Sequence, residues 1–354
     1  MIDVQMNSKR THKPDITELT KKELTHWVNA QGMQPFRTGQ IMRWLYFKHA
    51  ASFDEMTDIA KKTRQLLIDH FTFSHLHIQQ IETSADGSRK YLFALNDGNF
   101  IETVLIPEKN HFTLCISTQI GCAMGCRFCM TAKSGLIRNL TQGEIIGQIL
   151  AITNDITGAK QLKNIVLMGM GEPLANYNNV IRAIDIITDH DCGMQFSTRR
   201  VTLSTSGLIS RFDELGRDTK INLAISLNAT DNETRNKLMP INKKYPIDQL
   251  INACARYPLA PRNKITFEYI LIKGINDSIA DADRLAKLLR PVKAKINLIP
   301  FNEHPGSEFK RPDESVILNF QAVLHKKNYT AIIRRSKGTD ISAACGQLSA
   351  NHSK

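Results

Sequence analysis

The sequence predicts an α/β protein: a partial parallel barrel of six strand–helix units over residues 111–354, a small helical domain over residues 1–75, and a β extension containing a hairpin over residues 76–110. Three observations predict it. From residue 111 onward, short apolar runs alternate with amphipathic helical segments, the pattern of parallel strands joined by right-handed crossovers. Between His77 and Thr118 the apolar period is two, as in strands. Ahead of that stretch the period is helical.

The elements follow in order. Residues 1 to about 17 are polar and are expected to be disordered. Leu24, Trp27 and Val28 share one helical face, and Gly32 stands where that helix would stop. A second helix is expected after PFRTGQ, with Ile41, Trp44 and Leu45 inward. A third carries Ile59, Leu66 and Leu67 inward, with Lys61, Lys62 and Arg64 outward. RKYLFAL and FIETVLIP flank NDGN, a hairpin signal. HFTLCIST is a further strand. Thr141 and Glu144 form a capping box that opens the helix EIIGQILAI. Strands NIVLMG, RVTLST, INLAISL, ITFEYILI, KINLIPF and TAIIRR then alternate with helices through VIRAIDII, LISRFDEL, QLINACARY, ADADRLAKLLR and ESVILNFQAVLHKK. In such a barrel the chemistry sits at the C-terminal strand ends.

The chain has 354 residues, 42% of them hydrophobic, enough for one large core or one core with a small appended domain. Lys and Arg exceed Asp and Glu by 46 − 34 = 12. An excess of that size points to a polyanionic partner, nucleic acid first. No apolar run reaches membrane-spanning length, and MIDVQMNSKRTHKPDITE lacks the apolar region of a signal peptide. Seven cysteines form no disulfide framework, so a reducing cytoplasm is expected.

Three of those cysteines, Cys122, Cys126 and Cys129, lie in TLCISTQIGCAMGCRFCMTAKSG with C-x-x-x-C-x-x-C spacing. Three thiolates in one tight loop can hold three irons of a [4Fe–4S] cluster and leave the fourth open to a substrate. Structural zinc normally takes four ligands, often in two separated pairs, and no second pair is present. Three buried free thiols are the other alternative.

The C-x-x-x-C-x-aromatic-C pattern, with Phe128 as the aromatic, resembles the radical S-adenosylmethionine (SAM) enzymes. The resemblance implies a radical SAM barrel in which the amino and carboxylate groups of SAM chelate the open iron, with Phe128 near the adenine. MGMGEP resembles the family motif for the methionine amino group, placing Gly171 and Glu172 there. Ser204 in LSTSG, Ser226, Leu227 and Asn228 in ISLN, and Asn302 in IPFN stand at strand ends and are further SAM candidates. If the barrel is right, the four polar ones point into one cavity. PFRTGQIMRW, ETVLIPE, RNLT, INKKYPI, INLIPFN and DISAACGQL extend the resemblance over nearly the whole chain, to the RlmN family. That family methylates C2 of adenosine in 23S rRNA and in certain tRNAs. Asn228 stands where some members carry His.

Adenine C2 is an electron-poor amidine carbon and cannot attack a SAM methyl group directly. The resemblance implies a detour that uses two SAM per turnover. Cys345 takes a methyl group, that methyl becomes bonded to C2, Glu102 accepts the C2 proton, and Cys115 releases the product by forming a disulfide with Cys345. Cys192 and Cys254 are assigned to packing. The expected partners are 23S rRNA, tRNA and an electron donor such as flavodoxin or ferredoxin, and the chain is expected to be a monomer. Lys133, Arg138, Arg199, Arg200, Lys243, Lys244, Arg334 and Arg335 are candidate phosphate contacts. The competing readings are methylation at C8, as in the sister Cfr enzymes, and a non-catalytic iron–sulfur RNA-binding protein.

Overall fold

The computed structural model describes residues 13–156, 161–304 and 306–350. Of the amino-terminal stretch expected to be disordered, residues 1–12 lie outside the described residues. The remainder is ordered: Asp15 accepts from Thr17 N at 2.8 Å to cap a short turn, and Ile16 is buried. Helix α1 (Lys21–Ala30) opens with a capping box between Thr20 and Glu23, and its end is followed by Gly32 at φ +69°. Helix α2 (Phe36–Tyr46) starts ahead of the expected position, because Pro35 already holds a helical φ of −56°. Gly39 lies inside this helix rather than before it. Met42 and Tyr46, not Trp44, complete its buried face. Trp44 is half-buried, donates to Asp58 and lies under the Lys48 ammonium. Ile59 is buried just ahead of helix α3 (Lys61–His70).

Strands β1 (His77–Thr83), β2 (Arg89–Ala94), β3 (Phe100–Pro107) and β4 (His111–Cys115) form an antiparallel run. The short strands β5 (Gln119–Gly121) and β6 (Leu136–Asn139) pair as a separate hairpin around the one-turn helix α4 (Met130–Lys133). The alternating part then runs α5 (Gln142–Asp155), β7 (Gln161–Leu167), α6 (Tyr177–Thr188), β8 (Val201–Thr205), α7 (Phe212–Asp218), β9 (Asn222–Ser226), α8 (Asn232–Leu238), α9 (Ile247–Arg256), β10 (Ile265–Leu271), α10 (Ile279–Leu288), β11 (Ala294–Pro300), α11 (Glu314–Lys326) and β12 (Ala331–Ile333).

One ten-stranded sheet has the order β1-β2-β3-β4-β7-β8-β9-β10-β11-β12. From β4 onward every pairing is parallel and every neighbour is the next strand of that sheet. Right-handed crossovers taken always in one direction put all the helices on one face, so the sheet curls as a partial barrel. Its two ends, β1 and β12, are not paired to each other. Tyr269 packs against Phe320 of α11, with ring centroids 5.4 Å apart, so alternate residues of β10 face the helices. The others, Thr266 and Glu268, face the concave side. Following the register from strand to strand places Cys115, Ser204, Ser226, Glu268 and Asn297 on that same side. Glu102 joins them, two residues from Val104, the partner of Cys115.

Candidate active site

The cysteine loop is bracketed by β5 and β6. Gly121 sits at φ +72°, and a Cβ there would stand 1.8 Å from the Gly135 carbonyl oxygen, so only glycine closes this hairpin. Cys122 N donates back to that carbonyl at 2.8 Å. Phe128 is buried with Leu238, Met239, Ile272, Phe301 and Phe309, and Cys126 and Cys129 pack against this apolar group. A cavity of about 350 Å³ opens at the loop, between Cys126, Arg127 and Lys133 on one side and Ser307 and Glu308 on the other. Burial pushes the Cys122 thiol up to about 12 and Cys126 well above its ordinary value, and the neighbouring thiols add to it. Ionising such thiols takes a cationic partner, which iron supplies. No three His, Cys, Asp or Glu side chains among the described residues converge as ligands of one ion would. A cluster instead takes one thiolate on each of three irons, and this donor set fits it.

At the end of β7 the MGMGEP turn lies against the segment after β4. Gly169 N donates to Ile116 O at 3.0 Å, and a Cβ on Gly171 (φ +104°) would meet Gln119 at 2.6 Å. Glu172 is buried. Its Oε2 accepts from Ser206 N at 2.7 Å and Ser206 Oγ at 2.8 Å, and its Oε1 accepts from Leu174 N at 3.1 Å. Burial raises its pKa, and those hydrogen bonds oppose the rise. A buried carboxylate of this kind suits an incoming ammonium group. Ser206 is a residue that the motif reading passed over, two positions after Ser204 in LSTSG.

Arg235 is a second. Its side chain is completely buried, and no carboxylate pairs with it among the described residues. Instead it donates to Leu227 O at 3.0 Å, Ser226 O at 3.1 Å, Ser206 O at 2.8 Å and Asn242 Oδ1 at 3.0 Å. Burial brings its pKa down to about 10, against the opposing influence of Cys126 and Cys254. One guanidinium therefore ties the ends of β8 and β9 together. Ser204 and Ser226 are half-buried on the concave face, and Leu227 is fully buried. Asn228 departs from the expectation. It is fully buried at φ +58°, its Oδ1 accepts from Ile270 N at 2.8 Å, and its Nδ2 points to Met239 Sδ. Its amide joins β9 to β10 and does not enter the cavity.

The carboxy-terminal segment closes over the cysteine loop. Met130 N donates to Gly346 O at 2.7 Å, and Thr131 Oγ1 to Leu348 O at 2.6 Å. Asn302 Nδ2 donates to Cys345 O at 3.1 Å, fixing that peptide. Cys345 is exposed, and the protein packed around its sulfur pushes its thiol up to about 11. Cys115, buried opposite, is pushed up by burial and then by the charge of Cys345, so the two thiols sense each other. All seven cysteines are free, so the expected Cys115–Cys345 disulfide is not present in this state. Cys192 and Cys254 are buried, as packing requires. Glu102 is no surface carboxylate: Lys90 pairs with its Oε1 at 3.3 Å, and its Oε2 accepts from Ser349 N and Ala350 N at 2.8 and 3.1 Å.

Residues 14–72 match the ribosomal RNA large subunit methyltransferase N-terminal domain, and residues 116–286 match the radical SAM superfamily. A crystal structure of a radical SAM methyltransferase from Sphaerobacter thermophilus superposes with a TM-score of 0.89 at 42% identity, over 96% of this chain and 100% of that one. The dual-specificity RNA methyltransferase RlmN of Geobacter sulfurreducens is 52% identical, over 94% of this chain and 91% of its own. That of Desulfosudis oleivorans is 59% identical over 340 residues, 96% of this chain and 92% of its own. The chain belongs to the RlmN family. It is therefore a radical SAM RNA methyltransferase, with a [4Fe–4S] cluster and SAM as its cofactors.

The RlmN fold leaves the candidate phosphate contacts unequal. Arg138 is committed to ion pairs with Asp97 and Glu144 at 2.7 Å each, and Arg200 donates to Asn164. Arg64, expected to face outward, is half-buried and donates to Asp54 O. Lys22, Lys61, Lys62, Arg199 and Lys243 are exposed and enter no ion pair among the described residues. No described helix is long and apolar enough to cross a membrane.

Proposed function

We propose that the chain methylates C2 of adenosine in 23S rRNA and in tRNA, using Cys345 as a methyl carrier and consuming two SAM per turnover. The observation that supports this most is that the charge of Cys345 raises the thiol of Cys115, which faces the concave side, beside a carboxy-terminal segment bonded to the cysteine loop. Cys122, Cys126 and Cys129 would hold the cluster. Gly171, Glu172, Ser204, Ser226, Leu227 and Asn302 would line the SAM site, and Asn228 supports it from behind.

Cys345 first becomes a methyl thioether, with one SAM consumed as methyl donor. Bound there, the cluster and a second SAM would supply a 5′-deoxyadenosyl radical, the agent able to take a hydrogen atom from that methyl group. The carbon would then join adenine C2, linking Cys345 covalently to RNA, with the one surplus electron of the adduct passing to the redox partner. Glu102 accepts the C2 proton, which requires Ser349 and Ala350 to leave its Oε2. Cys115 attacks the Cys345 sulfur, forms the disulfide and releases methylated RNA, and a reductant restores the thiols. The target adenine must leave its stack, so a loop or bulge is favoured over a duplex. The domain over residues 1–75, which packs on the barrel helices α5 and α6, would contact phosphates through Lys22, Lys61 and Lys62, and the β extension over 76–110 follows it in the chain. An electron donor of the flavodoxin or ferredoxin type completes the system, in the cytoplasm, with the chain a monomer.

Cys115→Ala tests the reading. Isolated from cells, it carries nuclease-sensitive, covalently attached RNA on a denaturing gel, whereas Cys345→Ala carries none. A Cys115→Ala protein that keeps its iron and cleaves SAM but holds no RNA removes Cys115 from the resolving role. Nucleoside mass spectrometry separates C2 from C8 methylation.

A further inference from the structure

A cavity of about 670 Å³ lies between the edge strand β1, the β2–β3 turn, the β5–β6 hairpin and the end of the described chain. That is the size of a small-ligand site. Gln79 and Gln80 both line it. Consecutive strand residues normally point to opposite faces. Here Ile78 pairs with Phe93 and Gln80 with Leu92, so Gln79 is the extra residue of a β-bulge, which re-aims the strand. Asn99 adds a third amide from the turn. No hydrogen bond or ion pair among the described residues engages any of these three side-chain amides. Phe100, Ile137 and Met170 supply apolar surface, and no charged side chain among the described residues lines the cavity. Its walls are tied together. Arg138 of β6 pairs with Asp97 of the turn at 2.7 Å, and Gln119 Nε2 donates to Asn139 Oδ1 at 2.7 Å.

The cavity adjoins the reaction centre without containing it. Met170, which lines it, accepts from Glu102 N through its sulfur at 3.4 Å. Ser349 and Ala350, whose backbone amides hold Glu102 Oε2, line it as well. Glu102, Cys115 and Cys345 do not. We propose that this cavity takes an unstacked nucleobase of the substrate RNA, that of a nucleotide next to the methylated adenosine. This rests on Glu102 standing at the reacting carbon, as proposed above. Phosphate finds no cation there, so the RNA enters by a base and not by its backbone. A nucleobase brings the complementary chemistry: a π-face for Phe100 and Ile137, and an edge of donors and acceptors for the amides. Each amide carries both a donor and an acceptor, so Gln79, Gln80 and Asn99 can pair with such an edge. When the target adenine leaves its stack, its neighbour loses a stacking partner, and the cavity supplies a replacement.

The test uses the full chain with its cluster reconstituted and an RNA hairpin that carries the target adenosine in its loop. Dissociation constants are measured for the intact hairpin and for three forms lacking one base, that of the adenosine or of either neighbour. Removing one of the neighbouring bases weakens binding to the wild type at least about fivefold, the scale of one lost stacking contact. The double variant Gln79→Ala, Gln80→Ala, changed at two exposed positions, binds the intact hairpin about fivefold more weakly. It loses little more when that same neighbouring base is also removed. Two losses that do not add belong to one contact, which a general loosening of the fold would not produce. Unchanged affinity of the double variant for the intact hairpin overturns the proposal, and so do losses that simply add. Non-additivity with the base of the adenosine itself, and with neither neighbour, means that the cavity holds the reacting base, and overturns it too. If the double variant loses its iron, Asn99→Ala gives the same comparison from the turn. Nucleoside mass spectrometry of the intact hairpin after reaction with the wild type keeps the two readings apart. Absence of C2 methylation overturns the function proposed above, whereas the affinities decide the cavity alone.

Discussion

Replacing Arg235 by Met should destabilise the protein and loosen its SAM site together. The guanidinium serves four acceptors, at Leu227, Ser226, Ser206 and Asn242, and all of it is buried. Met fills much of the volume but donates nothing. Each buried acceptor left without its donor costs about 1 kcal/mol, the low end of the range because a carbonyl keeps a second lone pair. Four give about 4 kcal/mol, and relief from burying a charge, with added apolar burial, returns about 1. The net expectation is about 3 kcal/mol, read as the shift in urea midpoint at unchanged slope by far-UV circular dichroism. Because Ser206 also holds Glu172, SAM affinity in the cluster-loaded protein should fall by about tenfold, or 1.4 kcal/mol. Arg235→Lys keeps the charge but lacks the planar fork, so it should recover part of the loss. A stability change under about 1 kcal/mol with unaltered SAM affinity would refute the view that this side chain ties the strand ends together.

Other outcomes follow from single residues or small groups. Gly121→Ala should abolish iron binding, because its Cβ would stand 1.8 Å from Gly135 O; a full complement of iron in that variant would show that the hairpin is dispensable. Exchanging Lys22, Lys61 and Lys62 for Ala should flatten the salt dependence of RNA binding by about 0.7–0.9 for each phosphate no longer neutralised, and an unchanged slope returns these residues to a solvated surface. Glu268 is shifted upward by burial, so the folded state holds a proton that the unfolded chain releases. Its contribution is present at low pH and is lost as pH rises from about 4.5 to about 7. Glu268→Gln, which mimics the protonated form, should therefore gain thermal stability relative to wild type across that window and hold the gain above it; parallel melting curves at all pH values would contradict the buried titration.

The chain by itself determined whatever depends on close spacing. The capping boxes at Thr20 and Thr141 lie within single helical turns, and the C-x-x-x-C-x-x-C loop gathers its thiols through its own few residues. The strand–helix alternation determined the parallel sheet, since right-handed crossovers leave few other arrangements. The amide of Asn228 and the guanidinium of Arg138 read equally well as ligand contacts until the fold gave them Ile270 and Asp97 as partners. Glu268 in ITFEYIL carried only the faint signal of a charge at an inward-facing position of a buried strand. That it stands between Ser226 and Asn297 on the concave side was decided by the register of β10 against its neighbours. Arg235 and Ser206 acquire their roles in the same way, from strand ends brought together by the sheet. Spacing along a chain encodes geometry only across a turn or two. Which buried polar groups find partners, and which keep a free oxygen for chemistry, is settled when distant segments pack and water is excluded.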